Sequence, residues 1–499
     1  MASGGVNCLE PLASSEEAFT VSRRCLRLLG RLNGELMDRI TLDITNALDS
    51  AVGPEQGVSL EELSDLRETA SKALAAVQAR RSLDLCWMDL PYQQEVHDAV
   101  LEYTASVEGR FKNVVVLGIG GSALGNTALH AALSSPFHDL APPPGHPRLF
   151  VLDNVDPDLV GEWLDHFDPS ETLFNVISKS GGTAETMSQF LLFRGRLDEA
   201  LGEEAHREHI VVTTDETKGI LREIVEREGY QSFVVPDGVG GRFSVLSPVG
   251  LVSSALVGID IKGVLAGAAA MDELCKEAPL DENPALMYAC LQWLMQEKMS
   301  KNISVTFSYS HRLRALADWY AQLLAESIGK RKGVDGNIVH KGPTPVRAVG
   351  VTDQHSQVQL YVEGPFDKWF TLLSVTQADH AVPLPSAYPD LEGVEYLAGS
   401  DLGDLFTAER EGTRVALTEA RRPNVSIVFP RVDARSVGQY LAMMEISVAV
   451  MGELYGVDAF DQPGVEAGKV AAYALMGRAG YEARRAEIEA SAPTERKII

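Results

Sequence analysis

Cysteine is scarce in this chain and poorly placed for either disulfides or metal. Five occur in 499 residues, at Cys8, Cys25, Cys86, Cys275 and Cys290, with no C-x-x-C pair and no Cys/His spacing suited to zinc. This excludes a disulfide-stapled framework and fits a reducing compartment, so a cytoplasmic protein is expected. No run of 18 apolar residues occurs, and the opening MASGGVNCLEPLASSEE lacks the apolar stretch of a secretory signal. Neither a membrane span nor export is expected. Basic residues are also few: 44 Lys and Arg against 70 Asp and Glu leave a net charge of −26, which opposes nucleic acid and anionic lipid as partners. An anionic small molecule would need a local positive site, so single lysines and arginines beside glycine turns matter more than the total.

What is present is ordinary globular composition, 45% hydrophobic and 23% charged, in a chain long enough for two or three cores. From about Glu16 to Gly109 leucines recur three and four apart, as in CLRLLGRLNGELMDRI. A helical N-terminal segment free of strands is expected over residues 1–109. Apolar runs at residues 113–117, 149–152, 173–177 and 210–213 then alternate with helices starting at Ser122 and Thr183. This is the pattern of a parallel α/β unit, over residues 110–290. A second series, ISVTF, VRAVGV, KWFTLLSV and VSIVF, ends in the helices SVGQYLAMMEISVAVMGEL and GVEAGKVAAYALMG, a second α/β lobe over residues 291–480. The polar tail, residues 481–499, is expected to fray.

In VVVLGIGGSALG a strand breaks into Gly118, Gly120 and Gly121 before a helix begins at Ser122, leaving bare amides where an anion is favoured. Gly118-x-Gly120-x-x-Ala123 followed by Asp153 also fits a loose dinucleotide fingerprint, so a dehydrogenase stays open at this point. SKSGGTAET repeats the strand, turn and helix with hydroxyls in the turn: Ser178, Ser180 and Thr183, with Lys179 among them. Such hydroxyls cap helices, but three within six residues suit a phosphate dianion. Two neighbouring turns suit a small sugar phosphate better than a dinucleotide.

DGVGGRFSVLSPVG sets Arg242 behind two glycines, a weak signal alone, because most such arginines are surface ion pairs. HRLRALADWYAQLLAESIGK is a helix with Leu313, Leu316, Tyr320 and Leu323 on its buried stripe and Gln322 and Glu326 four apart at the flank. Gly329 places Glu326 in the last turn, where the helix dipole disfavours a carboxylate; it is either a solvated residue or a poised general base. His355, in TDQHSQVQL, follows a strand's C-terminal end. Lys469, in FDQPGVEAGK, sits among Gly464, Ala467 and Gly468, small residues that allow another element close; it is either a proton-trading lysine against apolar packing or a snorkelling one.

Taken in order, GIGGSALG, SKSGGTAET, DGVGGRFSVLSPVG, QLLAESIGK, TDQHSQ and FDQPGVEAGK resemble the phosphoglucose isomerase family, and GGRFS and FDQ-GVE-GK are its more specific segments. The resemblance implies two sugar isomerase lobes and cofactor-free, metal-free interconversion of glucose 6-phosphate and fructose 6-phosphate through a cis-enediolate. It places Ser178, Lys179, Ser180 and Thr183 at the phosphate and Gly121 and Ser122 along the sugar. Glu326 becomes the base at C2 with Gln322 beside it, and Arg242 the cation at the enediolate. His355 and Lys469 open the ring, Gln462 contacts the ligand, and the protein is a homodimer whose histidine reaches the neighbouring site. Gly182 and Pro463 depart from a threonine and an aromatic common in the family. A wider enzyme that also takes mannose 6-phosphate, and a non-catalytic sugar-phosphate sensor, are the alternatives.

Overall fold

Runs such as Val114–Leu117, apolar at every position, suit strands covered on both faces, and the structure builds two sheets from them. It is a computed structural model that describes residues 38–202, 204–388, 390–491 and 497–499. The N-terminal segment enters through β1 (Thr41–Asp43) and the helices α1 (Leu60–Ala79) and α2 (Gln94–Ser106). The expectation of a strand-free segment is therefore corrected at β1, too short to show a period of two; residues 16–37 of the expected helices lie outside the described residues. α1 begins at a capping box, Ser59 with Glu62.

The first sheet holds β2 (Asn113–Leu117), β3 (Arg148–Leu152), β4 (Thr172–Ile177), β5 (Ile210–Thr214) and β6 (Gln231–Val234), all parallel, in the order β3-β2-β4-β5-β6. Helix α3 (Gly121–Leu133) follows β2, and α4 (Ala184–Leu201) follows β4. Helices α5 (Ile261–Cys275) and α6 (Pro284–Glu297) lead to the second sheet. The sequence boundary at 290/291 falls inside α6.

The second sheet holds β7 (Ile303–Ser308), followed by helix α7 (Arg314–Ile328) and the small antiparallel pair β8 (Lys330–Lys332) and β9 (Ile338–Lys341), then β10 (Thr344–Val349), β11 (Lys368–Val375) and β12 (Asn424–Phe429). Its order is β1-β12-β11-β7-β10, parallel except for β1, which lies antiparallel on β12. Helices α8 (Ala434–Tyr455), α9 (Glu466–Leu475) and α10 (Glu482–Ala490) close the chain. The tail expected to fray is thus helical over α10, where pairs such as Arg485 with Glu489 support it.

The inner faces of the two sheets share one core, in which Val114 and Val116 of the first join Trp369 and Leu373 of the second through α5, α6, α7 and α8. The outer face of each sheet has its own smaller core. α8 is buried from Ser436 to Gly452, as an apolar-all-round helix must be.

Glu445 stands in that buried stretch, 1% exposed, and its Oε1 has no hydrogen-bond partner among the described residues. Burial holds its carboxyl well above the ordinary value, so the folded chain keeps that proton to higher pH than the unfolded chain does. Above the unfolded-state value near 4.5 the unfolded chain releases that proton and the folded chain does not, so this group weakens folding increasingly as pH rises. Glu445→Gln is therefore expected to raise the melting temperature at pH 7.5 and to raise it less at pH 5, read by thermal unfolding at both.

Candidate active site

In the first sheet the chain runs from β2 outward to β3, then returns to place β4 on the other side of β2. The crevice at the C-terminal ends of β2 and β4 is the topological switch point, where α/β sheets bind ligands. Both glycine turns open there. After β2, Gly120 has φ +58°, and a Cβ on it would lie 2.9 Å from the Gln322 Nε2. A Cβ on Gly121 would lie 2.1 Å from the carbonyl oxygen of Gly241. Only a bare backbone lets this turn rest directly against both α7 and the Arg242 turn. Ser122 is half-buried in the first turn of α3.

After β4, the Ser178 hydroxyl accepts the Gly181 N–H at 3.1 Å and meets the Thr183 hydroxyl at 3.2 Å. The Ser180 hydroxyl accepts the Gly182 N–H at 3.3 Å. Thr183 occupies the N-cap of α4 but makes no side-chain cap bond. The hydroxyls therefore shape the turn rather than cap the helix, and the first amides of α4 remain available to an anion. Lys179 differs from its expected place: its ammonium donates to the carbonyls of Pro236 (3.2 Å) and Val239 (3.0 Å), tying this turn to the one that carries Arg242.

Arg242 is 6% exposed, so it is no surface ion pair. Its Nε donates to the Ser327 hydroxyl (3.0 Å), its Nη1 to Glu326 Oε2 (3.0 Å) and Gln462 Oε1 (2.8 Å), and its Nη2 to the carbonyls of Ala459 (2.9 Å) and Asp461 (3.1 Å). All five guanidinium hydrogens are placed. Burial lowers its pKa, and the Glu326 carboxylate opposes that shift. The second Glu326 oxygen accepts from Gln322 Nε2 at 3.2 Å, so both oxygens face donors while a third of the side chain is open to solvent. The dipole at the end of α7 disfavours this carboxylate, and Arg242 offsets it. For Arg242 to meet an oxyanion, Glu326 or Gln462 must release an Nη1 hydrogen.

His355 ends a short 3₁₀ turn after β10 and is exposed, outside this cluster. Lys469, on α9, is also exposed and pairs with Glu466 at 2.9 Å. Of the two readings of Lys469, the exposed one matches this single chain: nothing lies within 4 Å of a Cβ built on Gly464 or Gly468. α9 does reach the Ser178–Thr183 turn, through the Tyr473 hydroxyl, which donates to the Gly182 carbonyl at 3.2 Å. Ser327, Lys330 and Tyr473 are participants that sequence reasoning missed. Lys330 alone carried a signal, a lysine immediately after a helix-ending glycine.

Two largely parallel sheets, paired glycine turns at a switch point and an Arg-clamped carboxylate are the architecture of an α/β sugar isomerase. The phosphoglucose isomerase family profile matches residues 93–380 and 412–494. Glucose-6-phosphate isomerase of Carboxydothermus hydrogenoformans is 45% identical over 431 residues, 86% of this chain and 92% of that protein. The enzyme of the same name from Rubrobacter xylanophilus is 45% identical over 448 residues, 90% of this chain and all of its own length. Among solved structures, a hypothetical protein of Thermus thermophilus superposes with a TM-score of 0.79 at 38% identity, over 88% of this chain and all of that one. The chain belongs to the phosphoglucose isomerase family.

If the Ser178–Thr183 turn holds the phosphate, the double substitution Ser178→Ala with Thr183→Ala removes two hydroxyl donors. The expected result is a rise of about tenfold or more in KM for a phosphorylated sugar, each 1.4 kcal/mol of lost binding being tenfold. Steady-state kinetics checks it, and an unchanged KM places the phosphate elsewhere.

Proposed function

We propose that the chain interconverts glucose 6-phosphate and fructose 6-phosphate, and the observation that carries this reading is the Glu326 carboxylate held between Gln322 and Arg242, with the Gly120 turn resting on Gln322. The phosphate binds at Ser178, Ser180 and Thr183 and the amides that open α4, and the backbone of Lys179 continues the turn. The sugar extends past Gly121 and Ser122. With C1 and C2 against Glu326, the carboxylate takes the C2 proton, charge spreads onto the enediolate oxygens, a proton passes from O2 to O1, and the same carboxylate returns its proton at C1 to leave the carbonyl at C2. Gln322 releases its long bond to Glu326 as the carboxylate takes up the proton.

Arg242 lies beside the carbon pair that becomes anionic, and a fixed cation in a water-poor site is worth on the order of 3 kcal/mol to such an intermediate. Gln462, bonded to Arg242, is the group that exchanges partners when ligand arrives. His355 and Lys469 serve ring opening, one moving a proton at the ring oxygen and the other at the C1 hydroxyl. Their exposure in a single copy favours a homodimer in which His355 enters the neighbouring site. A reducing cytoplasm suits the free thiols of Cys86, Cys275 and Cys290, and no helix among the described residues is long and apolar enough to cross a membrane.

The test supplies fructose 6-phosphate, detects glucose 6-phosphate through its NADP-linked dehydrogenase, and includes EDTA. Turnover is expected to survive the chelator. Glu326→Gln is expected to lower kcat by at least ~10²- to 10⁴-fold while inhibition by inorganic phosphate stays within about twofold, because the base is lost and the phosphate turn is not. Retained turnover removes Glu326 from the role of base.

A further inference from the structure

The last turn of a helix leaves carbonyls without partners, and α7 ends at Ile328 with Gly329 as its C-cap. Gly329 closes the helix by donating to Ala325, at 2.9 Å, and Lys330 follows at once as the first residue of β8. The Lys330 side chain turns back. Its ammonium is within 2.6 Å of the Glu326 carbonyl and 2.7 Å of the Asp461 carbonyl, and 3.3 Å from the Asp461 carboxylate. The residue is only 6% exposed, a costly place for an ammonium unless its hydrogens are used.

The Asp461 carbonyl is shared. It also accepts from Arg242 Nη2, so one backbone oxygen joins the two buried cations. Arg242 reaches the Glu326 side chain, and Lys330 reaches the same residue's backbone. The next residue along the loop, Gln462, bonds back to Arg242. Glu326 is thus held at both ends, its carboxylate by Arg242 and its main chain by Lys330, with the Asp461–Gln462 segment completing the ring.

We infer that Lys330 is a positioning residue for the isomerisation: it fixes the turn of α7 that carries Glu326 against the loop that carries Gln462, and so sets the approach of the carboxylate to C2. It does not touch substrate, and it contacts none of Ser178, Ser180 and Thr183. The inference rests on Glu326 acting as the base. Burial also draws the Lys330 ammonium below its ordinary pKa, with Asp461 opposing, as expected of a cation kept for its hydrogen bonds.

The experiment compares Lys330→Met, Lys330→Arg and Glu326→Gln in the aldose-to-ketose direction, with glucose 6-phosphate carrying hydrogen or deuterium at C2 as substrate and fructose 6-phosphate formation followed directly by NMR. Lys330→Met is expected to lower kcat between about ten- and a hundredfold, the cost of misplacing a reacting group by roughly an ångström. KM and inhibition by inorganic phosphate should stay within about twofold, and the deuterium effect on kcat should increase as proton removal becomes limiting. Lys330→Arg, which restores a cation with several donors, should recover part of the lost kcat. Should Lys330→Met fail to accumulate as folded protein, Lys330→Gln replaces it with the same expected split between kcat and KM.

A wild-type kcat in the Met or Gln variant overturns the inference, as does a loss confined to KM. If Glu326→Gln retains turnover, the base assignment fails on its own account, whatever Lys330 does. An inactive Glu326→Gln beside an unimpaired Lys330 variant refutes the positioning role alone.

Discussion

A buried guanidinium must have every hydrogen engaged, and Arg242 meets that demand by drawing three distant segments onto one plane. Its own turn supplies the cation, the end of α7 supplies Glu326 and Ser327, and the loop before α9 supplies Ala459, Asp461 and Gln462. A lysine could not do this, because a point charge with three donors lacks the planar fork that reaches carboxylate, amide, hydroxyl and two carbonyls together. The stability of the region and its chemistry therefore rest on the same bonds. Removing the cation would leave the Ala459 carbonyl without its donor and take one donor each from Glu326, which keeps Gln322, and from the Asp461 carbonyl, which keeps Lys330.

The first sheet contributes through contact of main chain with main chain. Gly121 lies directly on Gly241, and Lys179 spans from the phosphate turn to the carbonyls of Pro236 and Val239. The loop bearing Arg242 is thereby held on one side by the first sheet's two glycine turns and on the other by α7, through Glu326 and Ser327. Under the proposed function, phosphate recognition and proton transfer would fall to different lobes, and this short stretch of backbone joins the two.

Much of this was legible from the amino acids. Strands β2, β4, β7, β11 and β12 are rich in apolar residues and buried at most positions because both faces are covered, and both glycine turns follow directly from strand ends. β1 and β6 escaped notice because a sheet edge asks for few apolar residues: β1 has three positions in all, and Gln231 of β6 is exposed. At the site, residue types were readable and directions were not. Lys179 lies in the phosphate turn yet points its ammonium at another loop, since spacing says nothing about where a flexible four-carbon chain finds carbonyls. Lys469 has small neighbours but stays open, because small residues permit an approach without supplying the partner. Lys330 carried only the signal of a lysine after a helix-ending glycine, and its tie to the Asp461 carbonyl, 131 residues away, was not readable from spacing.

The bond from Tyr473 to Gly182 ends on a carbonyl, a group that every amino acid carries. The docking of α9 on the Ser178–Thr183 turn is therefore blind to the side chain at position 182. A Cβ there would meet only the Ser180 carbonyl oxygen, at 4.0 Å, so the seat of the helix and the side chain at 182 are independent. Residue 182 is thus a place where a hydroxyl can be added to the turn or withheld from it without disturbing the helix above.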